Sequence, residues 1–297
     1  MPLSYEAVLL ISFGGPTSRE DIRPFIGRVL QGVSVPPGRI EEVAHHYEAI
    51  GGRSPLNEIT LRQARALEKI LKELGLSLPV YVGLRHSSPS IKETLQRMTA
   101  GGVKKALGFI LSPLRTEASW ERYQNNVAEV CSELGGSAPN VDYCPGWHAH
   151  PLFVQALAHS VPTAMAARSP YVGQLEETSR LAAELLGHRR WSTAYQSRSG
   201  KPGDPWLEPD IGEALRKIAS EGAAEVVVAP VGFVCDHVEV LYDLDIEARK
   251  IAEGLGLRFF RASSVNDHPI FIRMMAEVIE AKLSAVSDQP KSLKPKS

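Results

Sequence analysis

The chain has 297 residues, of which 43% are hydrophobic and 23% charged, with a formal net charge of −1. That length and apolar content support a substantial core in two units of ordinary domain size. A near-zero charge offers no basic field to hold a phosphate backbone, so nucleic acid is excluded as the expected partner and small molecules become the default.

In chain order, the opening MPLSYEAVLLISFGGP has no basic segment before its short apolar run, which Gly14–Pro16 closes. It reads as a strand and turn rather than a signal peptide, and a cytoplasmic location is expected. Strands are expected at EAVLLISF, PVYVGLR, KKALGFILSP and APNVDYC, with helices at LRQARALEKILKEL and SIKETLQRMTAG. Further strands are expected at WSTAYQSR, AEVVVAPVGF and LRFFRASS, between helices at GQLEETSRLAAELLG, DIGEALRKIASEG and the acidic run from Glu239. This alternation is the signature of parallel sheets covered by helices. Three dispersed cysteines, Cys131, Cys144 and Cys235, fit a reducing compartment and supply neither a structural zinc site nor a four-cysteine iron–sulfur cluster within one chain.

The halves resemble each other. IKETLQRMTAGGVKKALGFILSP lies over IGEALRKIASEGAAEVVVAPVGF, matching Ile91 to Ile211, Glu93 to Glu213, Leu95 to Leu215 and Gly102 to Gly222. The expected fold is therefore α/β, with two duplicated doubly wound parallel-sheet domains facing across a cleft, and ligands at the carboxyl ends of the strands. The expected divisions are a first domain at 1–150, a second at 151–265, a helix at 266–285 packing back on the body, and a flexible tail at 286–297.

Glu239, Asp243 and Glu247 stand at i, i+4 and i+8 after a strand end. On an α-helix they share a face and repel one another by roughly 0.2–0.5 kcal/mol per pair. Such a row seen alone reads as a solvated face. At a strand end its hard oxygens suit a divalent ion in transit, and a π-bulge would align them further. Gly14–Gly15 reads as a strand-to-helix turn. His45, His46, His148 and His150 read as capping or surface residues, and His237 as a residue that orients Glu239 or Asp236.

PVGFVCDHVEVLYDLDIE, with ISFGGPTSREDIRPFI, HYEAIGGRSPLNEIT, GLRHSSPSIKETL, AHSVPTAMAARSPYVGQLEET and AYQSRSGKPGDPWLEPDI in the same order, resembles the ferrochelatase family from Ala7 to about Lys282. The resemblance implies insertion of ferrous iron into protoporphyrin IX or coproporphyrin III in haem biosynthesis. Iron is then a substrate, and no resident cofactor or iron–sulfur cluster is expected. It also implies that His159 and Glu239 are the catalytic and metal-contacting pair on opposite sides of the macrocycle, with Asp243 and Glu247 as a further metal path. Phe13, Arg53, Ser54, Arg85, His86 and Tyr123 are the implied porphyrin contacts. Monomer or homodimer, and contact with a membrane surface, stay open. So do two other readings, a catalytically impaired porphyrin-binding relative and a cobalt or nickel chelatase for another tetrapyrrole.

One departure stands out. AHSVP follows directly on HPLFVQAL, so roughly 20–25 residues, the rest of a helix plus an ordinary strand, are missing before His159. Periodicity and Pro151 at a first-turn position predict a helix through Leu152–Ala158, a weakened second domain, a displaced His159 and reduced activity.

Overall fold

The computed structural model describes residues 5–33, 35–36, 38–157, 171–196 and 207–287. Elements run β1 (Ala7–Ser12), α1 (Ile22–Val29), α2 (Arg39–Ala49), α3 (Leu56–Glu73), β2 (Val80–Leu84), α4 (Ile91–Ala100), β3 (Lys105–Ile110), α5 (Arg122–Leu134), β4 (Asn140–Tyr143), α6 (Pro151–Leu157) and α7 (Tyr171–Leu185). They continue with α8 (Ile211–Ser220), β5 (Glu225–Val228), a π-helix (Glu239–Ala248), α9 (Arg249–Gly254), β6 (Arg258–Arg261) and α10 (Pro269–Ser287).

The first sheet is parallel, in the order β2-β1-β3-β4, with Val8 opposite both Val80 and Leu107. β1 is its second strand and is covered on both faces, which is why AVLLIS is apolar throughout instead of alternating and why all six residues are buried. Chain order reverses between β1 and β3, and a doubly wound sheet opens its crevice there, beyond the strand ends. Among the described residues no helix is long and apolar enough to cross a membrane.

The duplication is visible in atomic detail. Ser90 and Asp210 are N-caps of α4 and α8, each accepting from the backbone N–H three residues on while Glu93 or Glu213 reaches back to the cap N–H. Both helices end alike: Val103 N–H donates to Met98 and Ala223 N–H to Ile218, with Gly102 and Gly222 at φ 80° and 83°. The preceding bridges also correspond, Leu84 to Ser90 and Tyr195 to Asp210.

The second sheet falls short of the expectation. Its described strands are only β5 and β6, paired in parallel with Val227 opposite Phe260. The strand expected at WSTAYQSR is corrected: Trp191–Ala194 is irregular, Tyr195 makes only an isolated bridge, and the end of the stretch lies outside the described residues. A strand needs a ladder partner, and the described chain places none between this segment and β5.

The helix expected before His159 is present as α6; Ala158 lies outside the described residues. His150 Nδ1 accepts the Leu152 N–H, so it caps α6 as the sequence suggested, and Pro151 is the first helical residue. Phe153 is fully buried and meets Trp147 edge-on at 4.8 Å between ring centroids, with Phe271 of α10 beside both rings. Burying such a ring contributes about 1.5–3 kcal/mol, which drawing α6 out into the second sheet would forfeit. Thus α6 and α10 share the core of the first sheet.

Replacing Phe153 by Ala should cost about 3–5 kcal/mol of stability, seen as a lower urea midpoint at unchanged slope. A cost under about 1 kcal/mol, the scale of an ordinary surface change, would mean that α6 is not anchored through this ring.

Candidate functional site

Two groups of side chains meet at the carboxyl ends of the strands. The first is built by β1 and β2. Arg85 and His86 N–H donate to the carbonyls of Ser12 and Phe13, extending the parallel pairing past the strand ends and bringing the two segments side by side. The His86 ring lies 4.7 Å from the half-exposed Phe13 ring, and Phe25 of α1 is 6.4 Å from each. Arg28 donates to the His86 carbonyl at 2.9 Å and pairs with Asp21. Burial, followed by the fields of Arg85, Arg28 and Arg122, pushes the His86 pKa down to about 4, so its imidazole is neutral at pH 7. An aromatic wall rimmed by three guanidinium groups suits a flat, anionic ligand.

Gly14–Gly15 is the turn expected. Gly14 has φ 89°, and a Cβ on Gly15 would stand 2.5 Å from Ser54 Cβ. Asn57 clamps this turn, accepting from Gly15 N–H and donating to Gly15 O, both at 2.9 Å.

The second group follows β5. The stretch from Glu239 to Ala248 is a π-helix, the arrangement named as the one that would align the acids. Its i→i+5 hydrogen bonding puts more residues in each turn, so Glu239, Asp243 and Glu247 drift less around the axis than on an α-helix. Glu239 reaches solvent yet is closely surrounded by protein. Desolvation first, then Asp243, raises its pKa to about 7, with Arg39 opposing. Its N–H donates to His237 Nδ1 at 3.2 Å, and desolvation lowers that imidazole to about 4, leaving it neutral. His237 thus holds the backbone, not the carboxylate, of Glu239.

Asp236 holds this turn in place. It accepts from Arg261 at 2.8 Å, Asn266 Nδ2 at 2.8 Å and Ser264 N–H at 3.1 Å, while Arg261 also reaches Asp245 at 2.6 Å. Gln63 and Arg62 of α3 bind the Asn266 carbonyl and Asp267, tying the acidic turn to α3. The α1–α2 hairpin connects the two groups: Val238 packs on its core, Phe25 and Tyr47 stand 5.9 Å apart, and His46 stacks on Tyr242 of the π-helix at 3.8 Å.

Arg53 is exposed and paired with Glu58 at 3.0 Å. Ser54 is buried against Gly15 and accepts from Leu56 N–H. Tyr123 is buried in the first core, where desolvation raises its pKa. His159 lies outside the described residues. Among the described residues, no three His, Cys, Asp or Glu side chains converge to hold a metal ion.

Sequence reasoning missed Arg28, Arg122, Arg261, Asn266 and the contact role of His46. Arginines carry no distinctive spacing, and Arg261 and Asn266 meet Asp236 only through the β5–β6 pairing. His46, one position before Tyr47 on an amphipathic helix, gave no signal of its partner.

The ferrochelatase family model matches residues 5–158 and 156–283, two stretches that meet where the missing segment was inferred. A ferrochelatase of Rhodopirellula baltica is 36% identical over 310 aligned positions, covering 96% of this chain and 88% of that protein. The coproporphyrin III ferrochelatase of Mycolicibacterium smegmatis is 35% identical over 308 positions, covering 95% and 91%. Both alignments are longer than the chain itself and so open gaps in it. Among solved structures, the sirohydrochlorin chelatase SirB of Bacillus subtilis subspecies spizizenii, in complex with cobalt, superposes with a TM-score of 0.56 at 11% identity, over 95% of this chain and 97% of that one, a likeness of fold.

The raised Glu239 pKa carries a sign that can be tested. Its ordinary value is 4.5 and its folded value about 7, so folding favours the protonated form, and ionised Glu239 opposes folding above pH 7. Glu239→Gln should therefore raise the melting temperature at pH 8, with the gain vanishing at pH 4. An equal gain at both pH values would show that Glu239 titrates normally.

Proposed function

Since the chain belongs to the ferrochelatase family, we propose that it inserts ferrous iron into a porphyrin, as an enzyme of haem biosynthesis. The carrying observation is the aromatic, arginine-rimmed wall at the ends of β1 and β2, joined through the α1–α2 hairpin to a carboxylate whose pKa stands near 7.

Metal insertion requires a macrocycle to be held, two pyrrole N–H protons to be removed and a hydrated dication to lose its waters. Phe13 and His86 supply the flat apolar contact, and Arg28, Arg85 and Arg122 can meet carboxylates at the rim. A base is best placed when its pKa lies near the working pH, and Glu239 meets that condition without assistance from a charged histidine. Asp243 raises the Glu239 pKa by its negative charge, and an arriving dication would relieve that repulsion. Glu247, exposed further along the π-helix, extends the acids toward solvent and suits a path for hydrated iron. His159 is assigned the opposite side of the macrocycle by family resemblance. No resident cofactor enters this proposal.

A second reading, a relative that binds porphyrin but turns it over slowly, is favoured by one observation. The second sheet has two described strands against four in the first, and the residues that family resemblance leads one to expect ahead of His159 are missing. The normal chelatase reading predicts ordinary turnover, and this one predicts tight porphyrin binding with weak insertion.

Anaerobic incubation with ferrous iron and either protoporphyrin IX or coproporphyrin III, followed by the shift of the Soret band, decides between them and identifies the substrate. Glu239→Gln should lower insertion about 10²–10⁴-fold while porphyrin affinity stays within a factor of about three, since the amide keeps the shape and loses the base. Unchanged insertion would remove Glu239 from the mechanism. Arg122→Ala should weaken porphyrin binding by about 1–3 kcal/mol, with the loss shrinking at high salt. A dissociation constant insensitive to this change would remove Arg122 from the rim.

A further inference from the structure

The π-helix carries two rows side by side. Val240, Leu244 and Ala248 recur every four residues, are at most 2% exposed, and join a core with Leu215, Val228 and Phe259. Glu239, Asp243 and Glu247 recur at the same spacing, one position earlier. Successive residues of an α-helix stand about 100° apart, and less on the wider π turn, so the acid row has a neighbouring row on each side. On the side of Leu244 that neighbour is fixed by burial. On the other side stands Tyr242, which is not a member of that core.

Tyr242 is held from α2 instead. Its ring stacks on His46 with centroids 3.8 Å apart and planes within 11° of parallel, and it meets His45 edge-on at 6.2 Å. Contact between two flat rings fixes an orientation as well as a distance, which an aliphatic contact does not. The same helix supports the aromatic wall. Tyr47, next in the chain to His46, lies 5.9 Å from Phe25, and Phe25 is 6.4 Å from both Phe13 and His86. The stack therefore completes a run of rings from the ends of β1 and β2 to the helix that carries the acids.

We propose that Tyr242 is a positioning residue for metal insertion, its stack on His46 turning the Glu239–Asp243–Glu247 row toward the aromatic wall. The proposal rests on the insertion reading above. Tyr242 acts through its ring, since the contacts that place it are ring contacts, and it is assigned no contact with iron or porphyrin.

The test compares Tyr242→Phe, which keeps the stack, with Tyr242→Leu, which keeps apolar bulk and loses the stack, in anaerobic iron insertion followed by the Soret band. Tyr242→Leu is expected to raise the iron concentration for half-maximal rate at least about tenfold, with kcat lowered less than about threefold and the porphyrin dissociation constant within a factor of about three. Tyr242→Phe is expected to stay within about twofold of the wild type in all three. Adding His46→Ala to Tyr242→Leu should raise the iron requirement no further than the worse single change, because both remove one contact. Additive effects, equal impairment by Phe and Leu, or an unchanged iron requirement in Tyr242→Leu would overturn the proposal. Amide hydrogen exchange separates it from the insertion reading. Exchange over Val240–Ala248 should be at least about tenfold faster in Tyr242→Leu than in Tyr242→Phe, with α3 unchanged. A wild type that inserts no iron sinks the insertion reading, and the exchange comparison then decides the proposal: equal exchange in the two variants overturns it.

Discussion

The bonds to Asp236 are the constraint on which the geometry of the acidic helix depends. One carboxylate gathers donors from Arg261 at the end of β6, from Ser264 and from Asn266, and Arg261 carries the connection on to Asp245 within the π-helix. Arg261 and Asp236 are largely buried, with side chains 12% and 17% exposed, and burial makes such a pair costly to leave half-made. The turn that presents Glu239 is therefore held from two sides. Through Asn266 and Asp267 it is also fastened to α3.

That rigidity gives the raised Glu239 pKa its chemical meaning. A carboxylate on a mobile loop would turn to water and titrate normally. Here the backbone is pinned three residues earlier by Asp236, the Glu239 N–H is held by a neutral His237, and the α1–α2 hairpin packs on Val238. The side chain is left beside Asp243, closely surrounded by protein although it reaches solvent. The opposing wall is fixed just as locally, since Asn57 and Ser87 lock the Gly14–Gly15 turn from which Phe13 projects. The α1–α2 hairpin, packed on both, links these two fixed segments.

The two halves started from one plan and have diverged in completeness. The caps of α4 and α8, their glycine ends and the bridges before them correspond bond for bond. The first sheet keeps its buried β1, whereas the described second sheet consists of β5 and β6 alone. α6 cannot join that sheet without giving up the Trp147–Phe153–Phe271 cluster, so the first core holds on to these residues.

Much of this was legible in the chain alone, because it rests on local rules. Buried parallel strands read as unbroken apolar runs, so β1 and β3 were evident; Ser90 with Glu93 and Asp210 with Glu213 mark helix starts by their spacing; Pro151 marks the start of α6. The acidic spacing of Glu239, Asp243 and Glu247 identified the helix that matters. What tertiary structure decided is whatever depends on neighbours distant in sequence. WSTAYQSR has the composition of a strand, but a ladder needs a partner, and none stands beside it among the described residues. The burial of Ser54 and Tyr123, both expected as ligand contacts, is likewise set by packing. The Arg28–Arg85–Arg122 rim, the Arg261–Asp236 bond and the stacking of His46 on Tyr242 join residues from separate elements, and burial first, then neighbouring charges, sets the charge states of His86 and Glu239. Side-chain type and spacing are properties of the chain, whereas desolvation and proximity exist only once it has folded.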